Sequence, residues 1–347
     1  MIRPAEILPT STPATFRAAV LRAVELLKAG EVVALPTETV YGLAANALDP
    51  AAVAKIFEIK GRPAHNPIIV HVASTAMAQR CVSAWPDSAD RIVKAFWPGP
   101  LTIVLPRSAS IPDIVTAGGS TVGVRWSSHP FLQEVIEACG FPLAAPSANP
   151  SNRLSPTTAE HVRRPLGDRL QLIVDGGPSM VGIESTVLDL SCAVPRVLRP
   201  GTIHEESLAA ALGEAGFRSS NPSDRDDASP EGASTLRSPG LLRKHYSPKA
   251  PLRVLAWRDA VDLRRQLHEA GLASGDAWIL AHTQVPSGEG FAGLAVIPHE
   301  PDSLARALYA ELHRLDEVGA RLIVIEAVPD SPEWRGIRDR LARASAE

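Results

Sequence analysis

Long apolar runs, cysteine pairs and an excess of charge of either sign are all missing from this 347-residue chain. Its three cysteines, Cys81, Cys139 and Cys192, lie far apart and form no C-x-x-C pair. Neither a disulfide framework nor a cysteine-type zinc site is expected, and a reducing cytoplasm fits. No apolar stretch reaches the roughly 18 residues of a membrane span. The opening MIRPAEILPTSTPATF has no uninterrupted apolar core, so no signal peptide is expected. Basic and acidic residues nearly balance, 35 against 38. A protein that coats nucleic acid would carry a basic excess, and no aromatic-rich RNA motif is present. The phosphate-binding signature G-x-x-x-x-G-K-[ST] is absent. A G-x-G-x-x-G occurs at Gly288, Gly290 and Gly293, but the strand-like LAVIP follows it where a helix is required, so it reads as a surface loop. No Ser-His-Asp or Cys-His pattern suggests a covalent nucleophile.

Proline is plentiful, with 31 residues, and implies many fixed turns and helix starts. A 45% hydrophobic and 21% charged composition is that of a folded globular chain. At about 150 residues per domain, the length predicts roughly two domains.

Capping and apolar spacing predict a helix over 12–30, with Thr12 as cap, Pro13 in the first turn and Gly30 at the end. VVAL (32–35) reads as a buried strand, Asp49-Pro50 opens a helix ending near Lys60-Gly61, and IIVHV (68–72) is a strand. A helix over 87–96 is followed by strands LTIVL (101–105) and TVGVR (121–125). Ser128 and Pro130 open a helix closed at Gly140, and short strands follow at 143–145, 172–174, 185–190 and 196–198. This mixture predicts an α/β fold with a mixed sheet. At 218–239 the chain turns to Ser, Pro, Asp and Arg and reads as a linker. Beyond it, strands at 252–257, 277–281, 294–298 and 321–328 alternate with helices at 258–271, 302–318 and 333–345, a pattern for a small open α/β domain. The predicted boundaries are 1–217, a linker over 218–250, and 251–347.

Chemistry concentrates in a few segments. Pro36, Thr37, Glu38 and Thr39 follow a buried strand, where hydroxyls can line a cleft or simply solvate a turn. Lys60 and Arg62 flank Gly61 after a helix, with Asn66 beyond. Two such cations suit phosphate oxygens, and equally suit the carbonyl end of a helix. His71 lies within an apolar strand, where a hydrogen-bonded core role is the plainer reading. In LAAPSANPSNRLSPT (143–157), Ser147, Asn149, Ser151, Asn152 and Ser155 crowd a loop. Pro156 is expected to start a helix, which makes Ser155 an N-cap, part of an anion site, or both. Arg125 and Arg199 are isolated cations at the ends of apolar strands.

The segments PTETVYGL, KIFEIKGRPAHNPIIVHV, FWPGPLTIVL, TVGVR, APSANPSNRLSPT, ESTVLDL and VLRPG occur in that order. Together they resemble the YrdC/Sua5 family, the threonylcarbamoyl-AMP synthases, across about residues 13–217. SPGLLRKHYSP (238–248) with the α/β unit after it is similar to the longer Sua5 branch. LLRKHYSP departs from that branch's usual methionine-bearing version but keeps His-Tyr. The resemblance implies a twisted mixed sheet with a concave cleft and a Rossmann-like C-terminal domain. It implies condensation of L-threonine, bicarbonate or CO₂ and ATP, with Mg²⁺, to threonylcarbamoyl-AMP and pyrophosphate. A tRNA threonylcarbamoyl transferase complex would then use the product. The threonine side would be Thr39, His71, Arg125, Ala145 and Ser185. The ATP side would be Lys60, Arg62, Asn66, Thr121, Ser147, Ser155 and Arg199, with His245 or Tyr246, and Lys60 and Arg62 would stabilise the leaving pyrophosphate. The other readings are an RNA-binding module and the carbamoyl-transfer domain of a hydrogenase-maturation protein. The charge balance argues against the first and the scattered cysteines against the second.

Overall fold

In a computed structural model the described residues are 4–213 and 245–346. They divide into two units, 4–151 with 156–213, and 152–155 with 245–346. The polar part of the expected linker, 218–239, and SPGLLRK before His245 lie outside the described residues.

The first unit contains, in chain order, β1 (Glu6–Pro9), α1 (Pro13–Lys28), β2 (Val33–Leu35), β3 (Gly42–Asn46), α2 (Pro50–Lys60), β4 (Val70–Val72), α3 (Thr75–Cys81), α4 (Asp87–Phe96) and β5 (Leu101–Pro106). Next come α5 (Asp113–Thr116), β6 (Thr121–Trp126), α6 (Pro130–Cys139), β7 (Leu143–Ala144), α7 (Ala159–Leu166), β8 (Leu172–Asp175), β9 (Thr186–Asp189), β10 (Arg196–Arg199) and α8 (Glu205–Leu212). Ten strands form one mixed sheet, ordered β1-β8-β2-β3-β7-β4-β6-β5-β9-β10. Local chemistry explains the helix ends. Thr12 and Thr15 close a reciprocal cap over α1, with Pro13 in its first turn. Asp49 accepts from the Ala51 N–H ahead of α2. Gly61 ends that helix at φ 57°, a left-handed turn that glycine adopts without strain and that sends Arg62 away from the helix.

One expectation is corrected. The helix expected from Pro156 begins at Ala159, and Thr158 caps it by accepting from the His161 N–H. Ser155 is therefore not the cap of this helix. The segment GLAAN, with no β-branched residue, forms the central strand β3. Burial of most of its length between β2 and β7 overrides weak strand propensity.

The second unit contains β11 (Leu252–Leu255), α9 (Ala260–Glu269), β12 (Ala277–Ala281), β13 (Gly293–Val296), α10 (Pro301–Glu317), β14 (Leu322–Glu326) and α11 (Arg335–Ala344). Its strands are all parallel, ordered β11-β14-β12-β13, as a small Rossmann-like sheet requires. Leu263, Leu267, Ile279 and Val324 are buried in its core. The glycine-rich 288–293 segment runs straight into β13, so it is a loop before a strand. Among the described residues no helix is long and apolar enough to cross a membrane.

Candidate active site

The turn after β2 is buried. Thr37, Glu38 and Thr39 are 2%, 7% and 1% exposed, which overturns the reading of a solvated turn. The Thr37 hydroxyl accepts from the Thr39 N–H at 3.1 Å and donates to the Val40 carbonyl at 2.7 Å, fixing the turn. Arg125 meets it from β6. Its Nη1 donates to the Thr39 hydroxyl at 2.9 Å and its Nε to the Gly99 carbonyl at 3.3 Å. Its Nη2 lies 2.7 Å from Glu38 Oε1, both side chains being buried. That contact is a buried ion pair that fixes the guanidinium from a third side. Glu38 also accepts from the Ser127 hydroxyl and from the Ser128 N–H. Burial alone would raise its pKa. The Arg125 charge and these hydrogen bonds outweigh that and hold it at about 2.

His71 on β4 is the register partner of Arg125, so the two side chains leave the same face of the sheet. Burial and the Arg125 charge push the imidazole down to about 3, so it is neutral near pH 7. Its Nδ1 is buried without a hydrogen-bond partner among the described residues. Ala145 follows β7 and bonds the Ile69 carbonyl beside this strand. On β6, Thr121, Gly123 and Arg125 alternate onto one face. A hollow on that face is lined by Pro67, Ile69, Thr102, Thr121, Gly123 and Val187. At its edge the Thr102 and Ser185 hydroxyls are 2.8 Å apart. Arg199, 3% exposed, donates to the Ser185 hydroxyl and carbonyl, each at 3.1 Å. The chain then presses on β9. A Cβ at Gly201 would sit 2.4 Å from the Thr186 nitrogen, so only glycine fits this close approach.

Lys60, on the last turn of α2, is 3% exposed. Its ammonium donates to the carbonyls of Ser147 and Asn149 and to the Asn149 amide oxygen. Burial, followed by the nearby Arg62 charge, lowers its pKa well below the ordinary lysine value. Lys60 therefore ties the 147–149 loop to α2 and does not serve as an exposed helix-end charge. Arg62 donates to the Asn66 and Pro67 carbonyls at 3.1 and 2.6 Å. The buried Asn66 amide oxygen has no partner among the described residues.

The structure thus joins Thr39 to Arg125, sets His71 beside Arg125, and joins Lys60 to Ser147, Arg62 to Asn66 and Ser185 to Arg199. Ser155, His245 and Tyr246 fall in the second unit. There the Ser155 carbonyl lies 3.1 Å from His313 Nε2. Tyr246, at φ 60°, packs its ring against Tyr309 and under the Arg340 guanidinium, with His245 edge-on to it. Sequence reasoning noted Glu38 and Asn149 without giving either a role, and passed over Thr102 and Ser127. The available signal was the acid between two threonines directly after a fully apolar strand.

A family model described as "Telomere recombination" matches residues 25–201, and one described as "Threonylcarbamoyl-AMP synthase, C-terminal domain" matches 203–346. The chain belongs to the Sua5/YrdC family, in the form that carries the C-terminal domain. The threonylcarbamoyl-AMP synthase of Pyrococcus abyssi is 37% identical over 325 residues, covering 92% of each chain. That of Bacillus subtilis is 37% identical over 329 residues, covering 94% of this chain and 92% of its own. A crystal structure of P. abyssi Sua5 complexed with L-threonine matches with a TM-score of 0.85 at 34% identity, covering 98% of each chain.

Proposed function

We infer that the chain is an L-threonylcarbamoyladenylate synthase, a nucleotidyltransferase acting on L-threonine, bicarbonate or CO₂, and ATP. The observation that carries this reading is Arg125, a buried guanidinium fixed by Thr39, Gly99 and Glu38 on the sheet face that also carries His71. Such a group suits an amino-acid carboxylate. Thr39, His71, Ala145 and Ser185 complete the amino-acid side. Lys60, Arg62, Asn66, Thr121, Ser147 and Arg199 serve the nucleotide. Ser155, His245 and Tyr246 are assigned to the nucleotide by resemblance alone.

The threonine amine adds to CO₂ and loses a proton, giving a carbamate. A carbamate oxygen then forms a bond to the α-phosphorus of ATP while the bond from that phosphorus to the bridging oxygen breaks, releasing pyrophosphate. Such a transfer needs positioning and charge neutralisation rather than a protein nucleophile. In this mechanism Lys60 and Arg62 offset charge on the departing pyrophosphate, a role that rests on the family resemblance. Among the described residues no group of three or more His, Cys, Asp or Glu side chains could hold a metal. Mg²⁺ fits here as a companion of ATP, liganded by phosphate oxygens and water. The product would pass to a tRNA threonylcarbamoyl transferase complex in the cytoplasm, with direct tRNA binding by this chain left outside the reading.

The test is incubation of the full chain with ATP, Mg²⁺, L-threonine and bicarbonate. Threonylcarbamoyl-adenylate detected by mass spectrometry, with equimolar pyrophosphate and no RNA present, is the expected result. Pyrophosphate release indifferent to threonine would overturn the reading.

A further inference from the structure

A buried arginine standing alone attracts any anion, because desolvation removes the water that would otherwise screen it. In this chain the Arg125 guanidinium is not alone. Glu38 lies 2.7 Å away, and both side chains are below a tenth exposed. The carboxylate is fixed from its other side by the Ser127 hydroxyl and the Ser128 N–H. His71, the residue paired with Arg125 across the sheet, adds no positive charge near neutral pH. The charges on this part of the site therefore cancel, while their directions do not. One end is a positive guanidinium and the other a negative carboxylate.

We propose that Glu38 is the charge-selectivity residue of the amino-acid pocket, making the Arg125 site net neutral so that it accepts a zwitterionic amino acid and refuses a simple anion. This deepens the synthase reading and rests on it. The need is plain in a site that must also receive ATP. A polyphosphate carries several negative charges and would outcompete a single carboxylate for a bare buried guanidinium. A paired positive and negative charge instead favours a ligand that is itself a dipole, such as threonine with its carboxylate and ammonium. Lys60 and Arg62, on the nucleotide side, are oriented by carbonyl and amide oxygens.

The test is calorimetric titration of the full chain with L-threonine and with (R)-3-hydroxybutyrate, which keeps the carboxylate and hydroxyl and lacks the amine. The parent protein is expected to bind 3-hydroxybutyrate about 100-fold more weakly than threonine, or worse. In Glu38→Gln, threonine binding should weaken by about tenfold to a hundredfold while 3-hydroxybutyrate binding strengthens, and inorganic pyrophosphate should begin to compete with threonine. Glu38→Asp keeps the charge and should keep the discrimination. A merely structural role would weaken both ligands together, and that outcome overturns the proposal. Equal binding of the two ligands by the parent protein also overturns it, and needs no variant that folds. In that case threonine still binds and the synthase reading stands. A parent protein that binds neither ligand removes both.

Discussion

Lys60 closes the end of α2 by driving its ammonium among the backbone oxygens of Ser147 and Asn149, nearly ninety residues further along the chain. A residue that looks on paper like a charge at a helix end is thus a clamp between two segments, and its removal has two consequences that can be measured apart. Lys60→Ala should leave buried carbonyls without a donor and destabilise the chain by about 1–3 kcal/mol, as well as nearly abolishing adenylate synthesis. Arg62→Ala gives up bonds to two carbonyls of its own loop and should cost less stability. Its rate or ATP affinity should fall by about ten to a hundredfold through one lost charge-assisted bond. Chemical denaturation and steady-state kinetics on both variants decide. Parental turnover and ATP affinity in both would remove the phosphate role.

Arg125 offers a second separation of effects. Arg125→Lys keeps the charge but cannot bond Thr39, Gly99 and Glu38 at once, because an ammonium lacks the planar fork. The KM for threonine should rise far more than the KM for ATP. Equal losses for both substrates would indicate damaged folding instead of a lost carboxylate contact.

The buried titrating groups set distinct pH windows. The Glu38 carboxyl sits at about 2 against an ordinary 4.5, so the stability it contributes is complete above 4.5 and is lost as pH falls toward 2. His71 sits at about 3 against 6.5. Between those values the unfolded chain holds a proton that the native state refuses, so stability falls as pH drops from 6.5 toward 3. His71→Asn should flatten the stability curve in the upper window and Glu38→Gln in the lower. Each effect is on the order of a few kcal/mol. Urea midpoints measured across these pH values would show it, and curves parallel to the parent's throughout would contradict both assignments.

Gly201 supplies a steric test. A methyl there would meet the Thr186 nitrogen and the Ser185 carbonyl carbon at 2.4 and 2.8 Å, both backbone atoms that cannot swing aside. Gly201→Ala should cost about 1–3 kcal/mol of stability. By displacing Arg199 from Ser185 it should also raise the KM for ATP. Unchanged stability would mean that the 199–201 segment is not pressed on β9.

The sequence by itself determined most element types, the mixed character of the first sheet, the open α/β character of the second unit, and the segments that hold the candidate site. These rest on short-range physics. Caps such as Thr12 and Asp49, prolines at first helical turns, the left-handed Gly61 and the fully apolar VAL of β2 act within a few residues and can be read locally. Tertiary structure decided what lies beyond that range. GLAAN becomes a strand only because neighbouring strands and helices bury it, and α7 starts at Ala159 because Thr158, and not Ser155, caps it. Whether Lys60 points to water or into a loop, and whether Glu38 solvates a turn or neutralises Arg125, depends on partners nearly ninety residues away. Long-range burial then turns charge from a surface property into a constraint, because a charge removed from water must find its partner wherever the fold places one.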